Sequence, residues 1–329
     1  MHSIGLSMKH IFCLTLSLVL IFPPQTVCAW SEGGHTIIAM MAFDLLEKEE
    51  QAKLIAILQQ HPRFAEDFSP PKNLANEHEI MRWHFGRAGY WPDVARIQPK
   101  YSRPTWHYDP GPTLVIGNIK VPERPSPLPA DANMETQSLN IFQAIMLCQQ
   151  TLADKAKPEA ERALAICWIA HLVADAHQPC HAGSLFMEKV FIEEDGDRGA
   201  NRIPTKQRQN LHALWDQLLG DDYTLQGSRK RIVEITSDAE LVAKAKQSIS
   251  TTEGLVPLTW LSESRALAKE HVYQPEVIEP LNLVARGLAE KPEAIDLSEA
   301  YLKNAGRVAQ IRAIEAAYRL AETWRNSMK

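Results

Sequence analysis

The chain has 329 residues, 45% of them hydrophobic, with 35 Lys and Arg against 40 Asp and Glu and a formal net charge of −5. This length holds one large domain or two small ones, with enough apolar content for a substantial core. The acidic balance excludes nonspecific, charge-driven binding to a polyanion unless bound metal supplies positive charge.

The first segment reads as a leader. Lys9 precedes an apolar run from Ile11 to Phe22, then Pro23-Pro24 and a Val27-x-Ala29 ending, the small-residue pattern that signal peptidase reads. The run is too short to span a bilayer, and no later stretch is long and apolar enough. Residues 1–29 are therefore expected to be removed, and residues 30–329 to form a soluble periplasmic or secreted protein with no stable membrane association. Cys148, Cys167 and Cys180 remain after cleavage. Three is no disulfide framework, though it leaves room for one bridge in an oxidising compartment. No Asn-x-Ser/Thr sequon occurs.

The mature chain would begin Trp30-Ser31-Glu32-Gly33-Gly34-His35. A free amine on Trp30 and its own carbonyl oxygen can chelate a metal, with His35 as a third donor; the plain alternative is a glycine-rich helix start. Thr36 to Lys48 reads as an amphipathic helix carrying Ile38, Met41, Leu45 and Leu46 on one face. A second helix is expected over Gln51 to Gln60, ending at His61 as a C-terminal cap residue. Pro70-Pro71 marks a loop, and residues 74–88 read as a helix in which His78 and His84 pack or face solvent. Asp93, after Pro92, has the setting of a turn former in a polar loop. His107 lies between Trp106 and Tyr108, a setting for a packed residue as much as for a ligand. Residues 110–133 form a proline-rich surface excursion with a β-like run, Thr113 to Ile116, and room for a hairpin.

Helices are expected again over Met134 to Ala153 and Pro158 to Ala176. The second carries His171 and Asp175 at i and i+4, hence on one face. Pro179 ends that helix, and the chain can return His181 to the same region. Residues 193–201 form an acidic, glycine-bearing loop whose spacing is not that of an EF-hand. His212 and Asp216 repeat the i, i+4 pair. Helical patterns then run over Ala239 to Ser248, Leu258 to Tyr273 and Leu297 to Asn326. The fold class is all-α: a single, mainly helical domain with small β excursions. Two His-x3-Asp pairs and a third imidazole after a turn suit zinc, and the residues alone argue for two metals.

The whole set resembles the zinc-dependent single-strand-specific nucleases (type I nucleases, including mung-bean nuclease), which share their fold with zinc-dependent phospholipase C. The likeness rests on Trp30-x4-His35, Trp91-Pro92-Asp93 and Trp106-His107-Tyr108. It continues through His171-x3-Asp175-x-His177-Gln178-Pro179-x-His181, Gly196-Asp197-x-Gly199-x-Asn201 and Asn210-Leu211-His212-x2-Trp215-Asp216. Near the end, Trp260-x2-Glu263-Ser264 and Tyr318 to Ala321 look like the family's last helices. The resemblance implies three zinc ions. The first would be held by Asp93, His107, His171 and Asp175, the second by His181, His212 and Asp216. The third would take the Trp30 amine and carbonyl, His35 and Asp175. Asp93 and Asp175 would be the catalytic carboxylates, with His177 orienting the site rather than ligating.

It further implies hydrolysis of single-stranded DNA and RNA to 5′-phosphates by a hydroxide held on zinc, together with 3′-nucleotidase activity. Tyr108 would lie under a base and Asn201 would contact phosphate. Two departures stand out: Ala200 where the family usually has a second glycine, and Asp109-Pro110-Gly111 in place of an apolar-polar run. The alternatives are a zinc-dependent phospholipase C, in which the first His lies further from the Trp, and a non-catalytic exported zinc-binding protein, which the altered stretch at 108–111 would suit.

Overall fold

The computed structural model describes residues 30–74, 76–123 and 127–329; the expected leader, residues 1–29, lies outside them. Among the described residues there are twelve α-helices and one two-stranded sheet, so the chain is mainly helical with a small β excursion, as its sequence leads one to expect.

The first helix, α1 (Glu32–Asp44), is buried along one unbroken run from Ile37 to Phe43. Its apolar residues go nearly all the way round, which is the pattern of an interior helix. Helix α2 (Lys48–Leu58) starts three residues before the expected Gln51, because Glu47 and Glu50 form a capping box. It ends at Leu58, so His61 is not its cap; the His61 ring instead packs edge-on against Trp91. The short α3 (Phe64–Asp67) leads to α4 (Glu77–Val94), capped by Asn76. Helix α4 runs through Trp91-Pro92-Asp93, and Asp93 therefore sits in its last turn, not in a polar loop. Pro92 is tolerated there because one turn from the end it removes only one intrahelical bond.

Strand β1 (Pro112–Ile116) does not fold into a hairpin. It pairs in parallel with β2 (Ser184–Met187), Leu114 opposite Leu185 and Ile116 opposite Met187. A parallel pair needs a long crossover, supplied by α5 (Ile141–Ala153) and α6 (Glu159–Ala176). The pairing brings the segment after His107 beside the segment after His181: Asp109 N donates to His181 O at 2.9 Å and Ser184 N to Gly111 O at 3.1 Å. Helix α5 begins seven residues after the expected Met134. Asn140 and Gln143 form its capping box, while the carbonyls of Met134, Gln137 and Leu139 are taken by Arg103 and Thr105.

Helix α6 is the centre of the molecule. Every residue from Ala165 to Ala176 is buried, and α1, α2, α4, α5, α10 and α12 pack on it. After it come α7 (Leu211–Asp216), α8 (Leu225–Thr236), α9 (Ala239–Ser248) and α10 (Pro257–Leu267), the last continuing into a wider π turn over Ala268–Val272. Helix α11 (Pro275–Ala285) and the long α12 (Glu299–Ser327) complete the chain. Cys148, Cys167 and Cys180 are all free and buried.

The last carbonyls of a helix have no partner within it, so a buried helix end needs outside donors. At the end of α6, His177 Nδ1 donates to Val173 O at 2.7 Å and Trp30 Nε1 to Ala174 O at 2.9 Å. Ser264 Oγ donates to Ala176 O at 2.7 Å, and Arg312 Nε to His177 O at 3.3 Å. Arg312 is itself buried, paired with Glu263 at 2.8 Å and Glu315 at 2.6 Å. Replacing it by Met leaves Glu315 without its cation, removes one of the two guanidiniums on Glu263 and takes away the donor to His177 O. Arg312→Met is expected to cost about 3–5 kcal/mol and to lower the thermal midpoint by on the order of 10 °C. Thermal unfolding checks this; a midpoint within about a degree of wild type would show that the clamp contributes little.

Candidate metal centre

Five buried side chains from four segments converge at the inner end of α6. His35 comes from the first turns of α1, Asp93 from the end of α4, His107 from the loop before β1, and His171 and Asp175 from α6. Asp175 is the hub: Oδ1 lies 3.3 Å from His35 Nε2, and Oδ2 lies 3.1 Å from His107 Nδ1 and 3.4 Å from His171 Nε2. His171 Nε2 is also 3.0 Å from His107 Nδ1 and 3.7 Å from Asp93 Oδ1, while the His35 and His171 rings stack with centroids 3.9 Å apart. Two three-residue groups have ligand atoms within 4.8 Å of one another here: His35, Asp93, His171 and His107, His171, Asp175.

A third group, His181, His212 and Asp216, meets the same spacing. It is assembled by the turn after α6 and by α7, whose start is fixed by Asn210 capping Ala213 N at 2.8 Å. His212 Nε2 lies 3.0 Å from His181 Nε2 and 3.5 Å from Asp216 Oδ2. Trp30 joins the two halves: its indole reaches the carbonyl beside Asp175, and the next amide, Ser31 N, donates to Asp216 O at 2.9 Å.

The tautomers make these contacts informative. A carbonyl only accepts, so the ring nitrogen facing it carries the proton. His171 Nδ1 donates to Gly89 O at 2.8 Å, His181 Nδ1 to His107 O at 2.5 Å and His212 Nδ1 to Gly199 O at 2.5 Å. In each neutral ring Nε2 is then a lone pair. The His181 and His212 lone pairs point at one another, and that of His171 faces carboxylate oxygens. Acceptor against acceptor at these distances is repulsive unless a cation lies among them. His35 Nε2, His107 Nε2 and Asp175 Oδ1 make no hydrogen bond although buried, which ordinarily costs 1–3 kcal/mol each.

Protonation of the rings does not resolve this. Burial holds His35, His107 and His181 well below the usual imidazole range and His171 at about 3. Burial likewise pushes Asp93 up to about 6, and Asp175 and Asp216 well above the carboxylate range. A divalent cation reverses both tendencies, because it favours the unprotonated ring and the ionised carboxylate together. Imidazole nitrogen with carboxylate oxygen, rings held by backbone carbonyls, is a donor set that suits zinc. The residues present therefore fit the metal.

Beside His181 and His212 opens a cavity of about 530 Å³, with Tyr108, Pro110, Ser184 and Gly199 also in its wall. Tyr108 is 41% exposed, so its ring is available to a ligand there. Asn201 is not brought to this cavity. Its Nδ2 donates to Arg198 O at 2.8 Å, within the loop itself. His177 turns away from both clusters, with Nε2 2.9 Å from Arg319 Nη1. Gly199 needs to be glycine: its φ is +58°, and a Cβ would lie 2.2 Å from Cys180 O. Ala200 adopts φ +68°, so the loop takes the left-handed path a glycine favours without having one.

Sequence reasoning missed two neighbours of the clusters. Arg96 Nε lies 2.7 Å from Asp93 Oδ1, and Gln178 Nε2 donates to Asp216 Oδ1 at 2.7 Å. The first could have been found from its i+3 spacing to Asp93 on a continuing helical turn. The second had no signal beyond its place between His177 and Pro179.

No curated protein shows a significant match to the chain. A family model described as S1/P1 nuclease matches residues 30–329. The match takes in both His-x3-Asp pairs and the segments that carry the other converging side chains, and the chain belongs to the S1/P1 nuclease family, a family of hydrolytic nucleases acting on nucleic acid.

Proposed function

We propose that the chain is exported with loss of residues 1–29. In our reading residues 30–329 then form a zinc-dependent phosphodiesterase that cleaves single-stranded DNA and RNA to 5′-phosphate products and removes 3′-phosphates from nucleotides. The observation that carries this reading is the crowding of unprotonated imidazole nitrogens and carboxylate oxygens around Asp175 and between His181 and His212, beside an open cavity with an exposed tyrosine. The start of the family match at Trp30, where the expected cleavage falls, supports export and trimming.

In this reading Asp93, His107, His171 and Asp175 hold one zinc, and His181, His212 and Asp216 a second. His35, Asp175 and the freed amine and carbonyl of Trp30 hold the third. Bound zinc supplies Lewis acidity, polarising the phosphoryl oxygens and acidifying the attacking water. The chain's own residues do the rest. Backbone carbonyls fix the rings of His171, His181 and His212, so their donor nitrogens are aimed before any ligand arrives. Tyr108 offers a face on which any base can stack, and a base must leave its duplex to use it, which favours single strands.

Incubation of the mature protein with single-stranded DNA, RNA, a 3′-mononucleotide and lecithin is expected to give cleavage of the first three only. Chelator should abolish all of it. Lecithin hydrolysis alone, or no hydrolysis at all, would remove the reading. Asp175→Asn, which alters the residue common to two of the proposed sites, should lower kcat/KM on single-stranded DNA by about a hundredfold or more. An unchanged rate would show that Asp175 has no part in catalysis.

A protein carrying one extra glycine before Trp30 presents a peptide N–H in place of the amine, and a peptide N–H offers no lone pair to a metal. Elemental analysis should then find two zinc ions per chain in place of three, with reduced activity. Equal zinc content and rate in the two forms would take the amine out of the site.

A further inference from the structure

One wall of the cavity beside His181 and His212 is the loop from Glu193 to Arg198, and it brings Glu193, Glu194 and Asp195 into the lining with a single guanidinium, Arg198. We infer that this loop is a charge filter: it admits a nucleoside whose 5′ end is an uncharged hydroxyl and disfavours one that continues into a 5′-phosphate. The inference rests on the phosphodiesterase reading above and assigns that site a preference among its substrates.

A cavity of about 530 Å³ is the size of a site for one nucleoside-sized ligand. In a phosphodiester cleaved at the clusters, the nucleoside on the His181 and His212 side takes up this space. Anything attached to its 5′ oxygen must leave past the exposed part of the lining. Glu193, Asp195 and Arg198 lie in that part, with side chains 57%, 50% and 52% exposed. Carboxylates along the wall of a cleft direct their field into it, and a phosphate entering there meets like charge.

Two guanidiniums pair with Glu193 and Asp195, and Glu194 is the carboxylate of this wall that neither compensates. Arg202 is absent from the lining; it pairs with Glu193 at 2.8 Å and Asp195 at 2.9 Å, and also donates to Gly196 O at 2.6 Å. Arg198 lies 3.4 Å from Asp195 and so is already partnered.

Nor is the loop free to swing the acids away. Gly196, Arg198, Gly199 and Ala200 all have left-handed φ values. Asp197 at its centre is fully buried, accepting from Leu185 N at 2.9 Å and from Tyr273 OH at 2.9 Å. The same stretch supplies the carbonyl that orients His212. Moving the lip would disturb the metal cluster, so the acids stay where a 5′-phosphate would pass.

The test compares kcat/KM for adenosine 3′-phosphate, adenosine 3′,5′-bisphosphate and oligoadenylate, using the zinc-loaded mature protein at low and high salt. Two variants are compared with wild type: the combined Glu193→Gln, Glu194→Gln, Asp195→Asn protein, and Glu194→Lys, which leaves both partners of Arg202 in place. Wild type should prefer the 3′-phosphate over the bisphosphate by about tenfold at low salt. Both variants should shrink that ratio several-fold and gain on oligoadenylate. The wild-type preference should fade at about 1 M salt, where the screening length is roughly 3 Å. Activity on adenosine 3′-phosphate serves in each protein as the internal reference for a folded, loaded site. Ratios that are the same in all three proteins at low salt would overturn the filter alone. Wild-type protein that hydrolyses none of the three substrates would overturn the nuclease reading and the filter with it.

Discussion

The burial of the C-terminal turn of α6 is the constraint on which the rest of the structure depends. A helix end away from water must find donors for its carbonyls, and here each donor arrives from a different part of the chain. Trp30 brings the start of α1, Ser264 brings α10, and Arg312 brings α12. His177 satisfies Val173 O from within the turn and is held in turn by Arg319. Asp175 and His181 stand on either side of this turn. The spacing between the two clusters is therefore held by these hydrogen bonds together with the one from His181 Nδ1 to His107 O, which ties one cluster to the other.

A second constraint follows from the first. Each imidazole oriented by a carbonyl presents an unprotonated nitrogen on its other side, and the fold packs those nitrogens against one another and against carboxylates. Isolated, such a group is a net loss, since burying polar atoms without partners costs free energy. It persists because α1, α4 and α6 are committed elsewhere to an extensive apolar core and the parallel strand pair to a second, smaller one. The stability that the core contributes offsets the cost of a polar centre that a cation completes. In the proposed reading this also accounts for an acidic protein acting on a polyanion: the positive charge that meets phosphate would come with the metal and not with Lys and Arg.

How much of this was legible in the sequence differs from element to element. The His171/Asp175 and His212/Asp216 pairs were readable because helical spacing alone puts each pair on one face. His35, Asp93 and His107 each had an ordinary local explanation, and what sets them apart is convergence through tertiary contacts that no local window contains. Asp93 was placed in a loop because Pro92 reads as a breaker, whereas the helix runs on past that proline to Val94. Proline also hid α11, where Pro275 opens the helix and Pro280 lies inside it. Helix α8 was hidden by a polar sequence with only scattered apolar positions such as Ile232 and Ile235. The pairing of β1 with β2 could not be read locally either, because its partner lies beyond two intervening helices.

The loop over residues 193–201 shows why a departure from a family's pattern has to be judged in the folded chain. Ala200 replaces a glycine in a stretch whose backbone is left-handed, and the expectation was an altered site. The backbone instead keeps φ at +68°, so the path of the loop survives. An alanine in that region carries roughly 1–2 kcal/mol of strain, and two features hold it there. Its methyl group is fully buried in the smaller core cluster with Leu211 and Trp215. Its neighbours are fastened by the Asp197 carboxylate and by His212 on Gly199 O. Asp109 is fastened too: its side chain accepts from Gly111 N at 2.8 Å and lies 3.7 Å from Arg265, which shapes the turn into β1, while the residue also lines the cavity. The residues free to change substrate preference are the exposed carboxylates on the outer side of the same loop.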